Sequence, residues 1–180
     1  IKLERKISIY ADKIIAIKYS RKIYDLLNIN LPYNEKQYFL DIPRVDLSKA
    51  IDVKPLDDDL KLIIDNSAIN IIFAGSLGKR DVSYFFSLLN ALRREVNLII
   101  LCNKLYHPEL HALSKHNPFI KVKILEYLPY DKLSQLLYAS NVLLNFGNEN
   151  PYLVPSKIYD YISYAKPIIS ICNIDDDTSK

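Results

Sequence analysis

The stretch NIIFAGSLGKRDVSYFFSLLNALRREVNLIIL, residues 70–101, decides the fold. It opens on the apolar run Ile71-Ile72-Phe73, closes it with Gly75-Ser76-Leu77-Gly78, and ends on a second run, Asn97-Leu98-Ile99-Ile100-Leu101. Between the two, Asp81 is placed to cap a helix on which Phe85, Phe86, Leu88, Leu89 and Leu92 recur at helical spacing. The alternation continues toward the C-terminus. A shorter helix begins around His107-Pro108, a third apolar run is Val122-Lys123-Ile124-Leu125, and a helix opening near Asp131 carries Leu133, Leu136 and Leu137 on one face. A fourth run, Val142-Leu143-Leu144-Asn145-Phe146, leads through a loop to Pro155 and a helix ending near Tyr164. The fifth is Pro167-Ile168-Ile169-Ser170-Ile171. Strand and helix alternating at this spacing mark parallel β-α-β units. Strands that are apolar on both faces need helices on each side. The fold class is therefore α/β, a doubly wound parallel sheet of five strands.

Residues 1–45 are a different object. Residues 4–10 read as helical, Ile14-Ile15-Ala16-Ile17 as a strand, and residues 21–27 as a second helix. Pro32, Pro43 and Pro55, with Asp57-Asp58-Asp59 close behind, punctuate a stretch that reads as an interdomain connection. The expected organisation is a β-α remnant of a preceding domain over 1–45, a linker over 46–68, and a nucleotide-fold domain over 69–180, truncated at its C-terminus. No internal repeat or low-complexity tract interrupts it.

Composition narrows the function classes. The chain has 180 residues, 49% hydrophobic and 25% charged, enough to bury one core and too apolar for intrinsic disorder. Twenty-four basic against 21 acidic residues leave +3, with the signs interspersed, so nucleic acid is not an expected partner. No run approaches the ~18 apolar residues of a membrane span, and the charged start Ile1-Lys2-Leu3-Glu4-Arg5-Lys6 has no signal-peptide core. Cys102 and Cys172 each sit in an apolar run and read as buried thiols of a reducing compartment. With no initiator methionine and an end just past an apolar run, the chain reads as a piece of a longer cytoplasmic protein.

In an open parallel sheet, ligands bind beyond the carboxyl ends of the strands. Two segments there carry chemistry. Gly75-Ser76-Leu77-Gly78-Lys79-Arg80 holds two of the three glycines, which let backbone approach a phosphate while Lys79 or Arg80 supplies countercharge. A tight strand-to-helix turn with solvated basic residues accounts for the same segment. In the second, Pro155 precedes a helix with Ser156 as its expected N-cap, and Ser156, Lys157 and Asp160 share one face. Its helix start would hold a pyrophosphate, and Asp160, roughly 5 Å along, would accept hydrogen bonds from a ribose diol. An ordinary capped helix with an exposed Lys157–Asp160 pair fits these residues equally well.

The segments Leu144-Asn145-Phe146-Gly147-Asn148, Val154-Pro155-Ser156-Lys157-Ile158-Tyr159-Asp160-Tyr161-Ile162 and Ala165-Lys166-Pro167-Ile168-Ile169 closely resemble glycosyltransferase family 4. The turn at 73–80 is similar to that family's first donor-domain loop, and Leu125-Glu126-Tyr127-Leu128-Pro129-Tyr130-Asp131-Lys132-Leu133 resembles its base-side loop. The likeness is specific over residues 70–171. It implies a GT-B fold whose C-terminal, Rossmann-like half binds the donor, and a retaining, metal-independent transfer from a nucleotide diphosphate sugar. By position, Asp160 would bind ribose, Ser156 and Lys157 would serve the pyrophosphate with Gly75, Ser76 and Arg80, and the backbone at Glu126 and Tyr127 would flank the base. Tyr152 stands where the family has the first glutamate of its E-x7-E pair, leaving nearby Glu149 as the candidate sugar-orienting acid. Ser76 replaces a common arginine, and Tyr164-Ala165 stands where a small residue and glycine are usual. The implied enzyme is a hexosyltransferase of polysaccharide biosynthesis. Its partners would be the sugar donor and a glycan or lipid-linked acceptor, with peripheral membrane association if the acceptor is a lipid. It needs no cofactor, and this portion alone is expected to bind donor without turnover. The alternatives are a nucleotide-sugar 2-epimerase of similar architecture and a non-catalytic nucleotide-binding partner of a transferase.

Other constellations carry less. His107 and His111 lack the H-E-x-x-H spacing and a third ligand, and the aspartate triplets at 57–59 and 175–177 lack an EF-hand's interleaving, so no metal site is expected. Cys102 has no base partner and reads as core. The fourteen tyrosines are scattered, as amphipathic packing requires.

Overall fold

The computed structural model describes residues 14–17, 37–40, 54–78, 80, 82–113, 117–147 and 156–172, and the chain divides into two compact units, Ile1–Arg44 and Val45–Lys180. In the first, β1 (Ile14–Ile17) pairs in parallel with β2 (Gln37–Leu40), Ile14 opposite Gln37 and Ile17 opposite Leu40. The strand at Ile14–Ile17 was expected and β2 was not. Parallel pairing requires a crossover, and residues 18–36 are long enough to make one. The helices expected over 4–10 and 21–27 lie outside the described residues.

The second unit runs α1 (Asp58–Lys61), β3 (Ile69–Ala74), α2 (Ser83–Asn90), β4 (Val96–Leu101), α3 (His107–Leu113), β5 (Ile120–Leu125), α4 (Tyr130–Ala139), β6 (Val142–Phe146), α5 (Lys157–Ile162) and β7 (Ile168–Ile171). Its five strands form one all-parallel sheet in the order β5-β4-β3-β6-β7. This is the Rossmann-like order, in which the chain starts in the middle, builds outward to one edge, and returns to build the other half. Helices cover both faces because the strands are apolar on both. Ile71, Phe73, Leu98, Ile100, Leu144 and Phe146 pack against Phe85, Phe86 and Leu89 of α2 and Leu110 of α3. Ile72, Ala74, Ile99, Leu101 and Leu143 face Leu60 of α1, Leu136 and Leu137 of α4, Tyr161 of α5 and Tyr164 just past its end.

Several boundaries differ from expectation. Val82, not Asp81, occupies the N-cap position of α2, in helical conformation and with no side-chain cap; Asp81 itself lies outside the described residues. Leu88 and Leu92 are 44% and 43% exposed, so the core face of α2 is Phe85, Phe86 and Leu89. Cys102 is fully buried, as expected, and burial pushes its thiol pKa up, whereas Cys172 is only half-buried. Of the stretch 46–68 read as a linker, the described part packs on the sheet. Leu60 is 2% exposed, Leu56, Ile63 and Ile64 join the same face, and the Asp57 amide donates to Gln135 Oε1 at 2.8 Å.

At the amino ends of the central strands, buried asparagines replace apolar side chains. Asn97 Nδ2 donates to Asn70 Oδ1 at 2.7 Å and to the Ile63 carbonyl at 2.8 Å, and the Asn70 amide N–H donates to Asn141 Oδ1 at 2.8 Å. These bonds tie the 54–68 segment and the start of β6 to β3, which satisfies polar groups that burial would otherwise strand. No helix among the described residues is long and apolar enough to cross a membrane.

Candidate functional site

The sheet reverses its building direction between β3 and β6, and there the ladder is short. β3 pairs with β4 over six residues, from Ile69–Val96 to Ala74–Leu101, but with β6 only at Ile71–Val142 and Ile72–Leu143. Beyond Ile72 and Leu143 the ladder between the two central strands stops, at the position where open α/β sheets form their ligand crevice. The stop leaves a definite backbone debt. In a strand, the N–H and C=O of one residue point the same way and those of the next point oppositely. Gly75 N donates to Leu101 O at 2.9 Å, toward β4, so the polar groups of Ala74 face the missing rung to β6.

Both are taken by α5. The Ala74 N–H donates to Tyr161 Oη at 3.1 Å, a buried bond, and Lys157 Nζ donates to the Ala74 carbonyl. Lys157 and Tyr161 are i and i+4 on one helix face, so one helical turn replaces one rung of sheet. The room for Lys157 comes from Gly75. A Cβ built there would stand 3.0 Å from Lys157 Cε and 3.2 Å from Nζ. Gly75 therefore admits the lysine side chain over the end of β3, where the sequence suggested room for a phosphate.

The rest of the turn is organised around Arg80. Leu77 is 3% exposed and anchors the turn in the core, and Gly78 reverses the backbone with φ of 57°. Arg80 then crosses the reversal point. Its Nε donates to the Gly147 carbonyl at the end of β6 at 2.7 Å, and Nη1 donates to the carbonyls of Ser76 and, at 3.5 Å, Leu77. The β3 turn, the end of β6 and the start of α5 are thus brought together, as the two-segment crevice required.

Burial and the neighbouring Arg80 guanidinium push the Lys157 pKa below the ordinary lysine value, partly countered by Asp160 one turn along. No carboxylate of the described residues lies within ion-pair distance of Lys157; its bonding partner is a neutral carbonyl. Burial pushes the phenols of Tyr161 and Tyr164 up to about 12, so both stay neutral at physiological pH. Tyr164 Oη donates to Ser134 Oγ at 3.0 Å, which joins the turn after α5 to α4.

The remaining expected residues fall as follows. Ser156 occupies the N-cap position of α5, but its hydroxyl caps nothing, its backbone is already helical, and the helix has six residues. Ser156 thus holds the expected N-cap position without capping through its side chain, and Lys157 brings its ammonium to the same helix start. Asp160 is exposed on α5, with Lys157. Ser76 contributes its carbonyl to Arg80. Glu126 and Tyr127 follow β5, on the same edge of the sheet but two strands from β3, roughly 10 Å by strand spacing. Glu126 pairs with Lys104 at 3.4 Å, both well exposed. Lys79, Glu149, Tyr152 and Pro155 lie outside the described residues. No group of three or more metal-ligating side chains occurs among the described residues, and His111 is exposed. Sequence reasoning missed Tyr161, Ala74 and Gly147. Tyr161 was quoted only within a motif, and nothing in a sequence marks a backbone rung that will go unpaired.

No family model matches the chain, and no curated protein matches it. Among solved structures, that of EarP, described as mediating arginine glycosylation of translation elongation factor EF-P, aligns with a TM-score of 0.46 and 9% identity over 77% of this chain. The chain spans 55% of that structure, about half its length. A likeness so distant carries no argument about activity, and the resemblance to glycosyltransferase family 4 rests on the residues quoted for it. What fold and site define is a Rossmann-like α/β unit with a basic corner at its topological reversal.

Proposed function

We propose that the second unit is the donor-binding portion of a glycosyltransferase of the GT-B kind, and that the crevice between β3 and β6 takes the diphosphate of a nucleotide sugar. The observation that carries this reading is the meeting of Gly75, Arg80 and Lys157 at the reversal of strand order. Ligands of open α/β sheets bind at that point. Lys157 is bonded there to a neutral carbonyl, and a phosphate oxygen would give its ammonium an anionic partner. Asp160 lies on α5 beside Lys157 and would accept the ribose hydroxyls. The nucleoside would run along the carboxyl edge toward Glu126 and Tyr127, which belong to the same edge.

The chemistry follows from charge. Breaking the bond from the anomeric carbon to the diphosphate leaves negative charge on the phosphate oxygens and an oxocarbenium-like sugar. Lys157 and Arg80, already oriented by Ala74, Gly147 and Ser76, would stabilise the departing diphosphate as its charge develops, and fixed donors need no reorganisation at that moment. Retention, independence from metal, a hexose donor and a glycan or lipid-linked acceptor are what the motif resemblance adds. The acid that orients the sugar would be Glu149.

Titration calorimetry of the 180-residue chain with UDP and with GDP tests the reading. Binding of one of them is expected, and Lys157→Ala and Asp160→Ala should each weaken it by ~1–3 kcal/mol, the loss of a charged hydrogen bond. A folded sample that binds neither nucleotide at millimolar concentration would overturn the proposal.

A further inference from the structure

We propose that Tyr161 is a positioning residue of the diphosphate site, acting on Lys157 through the peptide groups of Ala74. The inference rests on the functional reading above and concerns how that site is held in place. Tyr161 is 2% exposed and belongs to the core on the face of the sheet that α5 covers. Its hydroxyl nevertheless accepts from Ala74 N–H at 3.1 Å, while Lys157 Nζ, one turn earlier on the same face of α5, donates to the carbonyl of the same residue.

The two bonds constrain each other. α5 is a six-residue helix, and its start makes no capping bond. Little within so short a helix fixes how it is rotated or slid against β3. The Ala74 N–H can be satisfied only if the Tyr161 hydroxyl sits at the end of β3, and that fixes the helix phase. With the phase fixed, the Lys157 side chain must pass over Gly75, where its Cε and Nζ stand within 3.2 Å of an imagined Cβ. Without the tyrosine hydroxyl a buried N–H is unpaired, and relief comes from a shift of α5 that carries Lys157 away from the crevice. Tyr164 bonds Ser134 on α4 and makes no bond to β3, so it cannot substitute.

A double-mutant cycle distinguishes this role from a general effect on the fold. The 180-residue parent, Tyr161→Phe, Lys157→Ala and the double variant are titrated with UDP and with inorganic pyrophosphate, after thermal unfolding shows each to be folded. Tyr161→Phe keeps the ring and is expected to weaken both probes about tenfold, the size of one charged hydrogen bond misplaced. In the Lys157→Ala background the same change should have no effect, because the residue through which it acts is gone. A Tyr161→Phe affinity within twofold of the parent, or an equal loss in both backgrounds, overturns the inference while leaving nucleotide binding intact. A parent that binds neither probe removes the functional reading, and this inference with it. Should Tyr161→Phe not fold, the backbone amide resonance of Ala74 in the parent serves instead. It must shift on saturation with pyrophosphate, and an unmoved resonance is refuting.

Discussion

Replacing Gly75 by alanine probes the crevice with one methyl group and no change of charge. Gly75 lies outside the left-handed region, where Gly78 is the glycine found among the described residues, so its backbone suits alanine. By restricting the unfolded chain, the substitution alone would stabilise the protein by ~0.4–1 kcal/mol. The new Cβ, however, meets Lys157 Cε at 3.0 Å, Lys157 Nζ at 3.2 Å and Phe73 Cζ at 3.2 Å. Phe73 has nowhere to go. It is 3% exposed, and its ring stands edge-on to Phe146 with centroids 5.0 Å apart. The flexible end of Lys157 is what moves, and its bond to the Ala74 carbonyl suffers. A charge-assisted hydrogen bond contributes ~1.5–3 kcal/mol, so losing half of it and keeping the entropic gain leaves stability lower by about 0–1 kcal/mol. Nucleotide affinity has no such compensation and should fall about 4- to 12-fold, the same half-bond expressed in a binding constant. Urea denaturation measures the first quantity and UDP calorimetry the second. A variant that binds as tightly as its parent, or one that loses several kcal/mol of stability with affinity untouched, would refute the seating of Lys157 over Gly75.

Two further expectations concern stability. Ala165, just past α5, has φ of 52°, a conformation that costs an alanine about 1–2 kcal/mol, so Ala165→Gly should stabilise by roughly 0.5–1 kcal/mol after glycine's entropy is deducted. A fall in the urea midpoint would show that the strain is not there. At high pH, Tyr161 and Tyr164 have folded pKa values near 12 against an unfolded value of 10.0. Their contribution is fully present below pH 10 and is lost as pH rises through 12, by at most about 3 kcal/mol each. Stability should decline over that interval and tyrosinate absorbance should show late-titrating rings, with a flatter decline in Tyr164→Phe; a decline unaltered by that change would count against its raised pKa.

The strands were legible because burial on two faces writes itself as a short apolar run. Ile71-Ile72-Phe73 and Val142-Leu143-Leu144 admit few other readings. Helix ends were not: the N-cap position of α2 is held by Val82, a buried apolar residue with no capping group, which no side-chain preference would single out. The 54–68 segment misled for a related reason. The aspartates at 57–59 and the lysines look solvated, and they are, but Leu60 is buried among them and carries the segment onto the sheet. β2 was hidden because Gln37-Tyr38-Phe39-Leu40 is short and lies among prolines. At the candidate site the residue types were legible and their purpose was less so. Gly75 and Lys157 were each assigned to a phosphate separately, whereas in the fold they are partners, a contact between positions 82 residues apart that no local pattern encodes.

That contact also bears on the proposal that the corner takes an anion. A lysine placed for structure alone would be expected to meet a carboxylate or to keep its ammonium in water. Lys157 does neither. Its ammonium is partly desolvated and repelled by Arg80, which raise the free energy of the charged form relative to a surface lysine, while the bond to a neutral carbonyl and the charge of Asp160 one turn along offset part of that cost. The fold holds it there through two hydrogen bonds to one residue of β3, which exist because the ladder between β3 and β6 stops after Ile72 and Leu143. The stop in the ladder therefore also frees the backbone groups that draw a cation to it. On the proposed reading an anion would pair with Lys157 there, and by mass action pyrophosphate should raise the unfolding temperature as it binds. Strand order, an unpaired rung and a displaced lysine are one arrangement, and a change to any of them alters the charge the crevice presents.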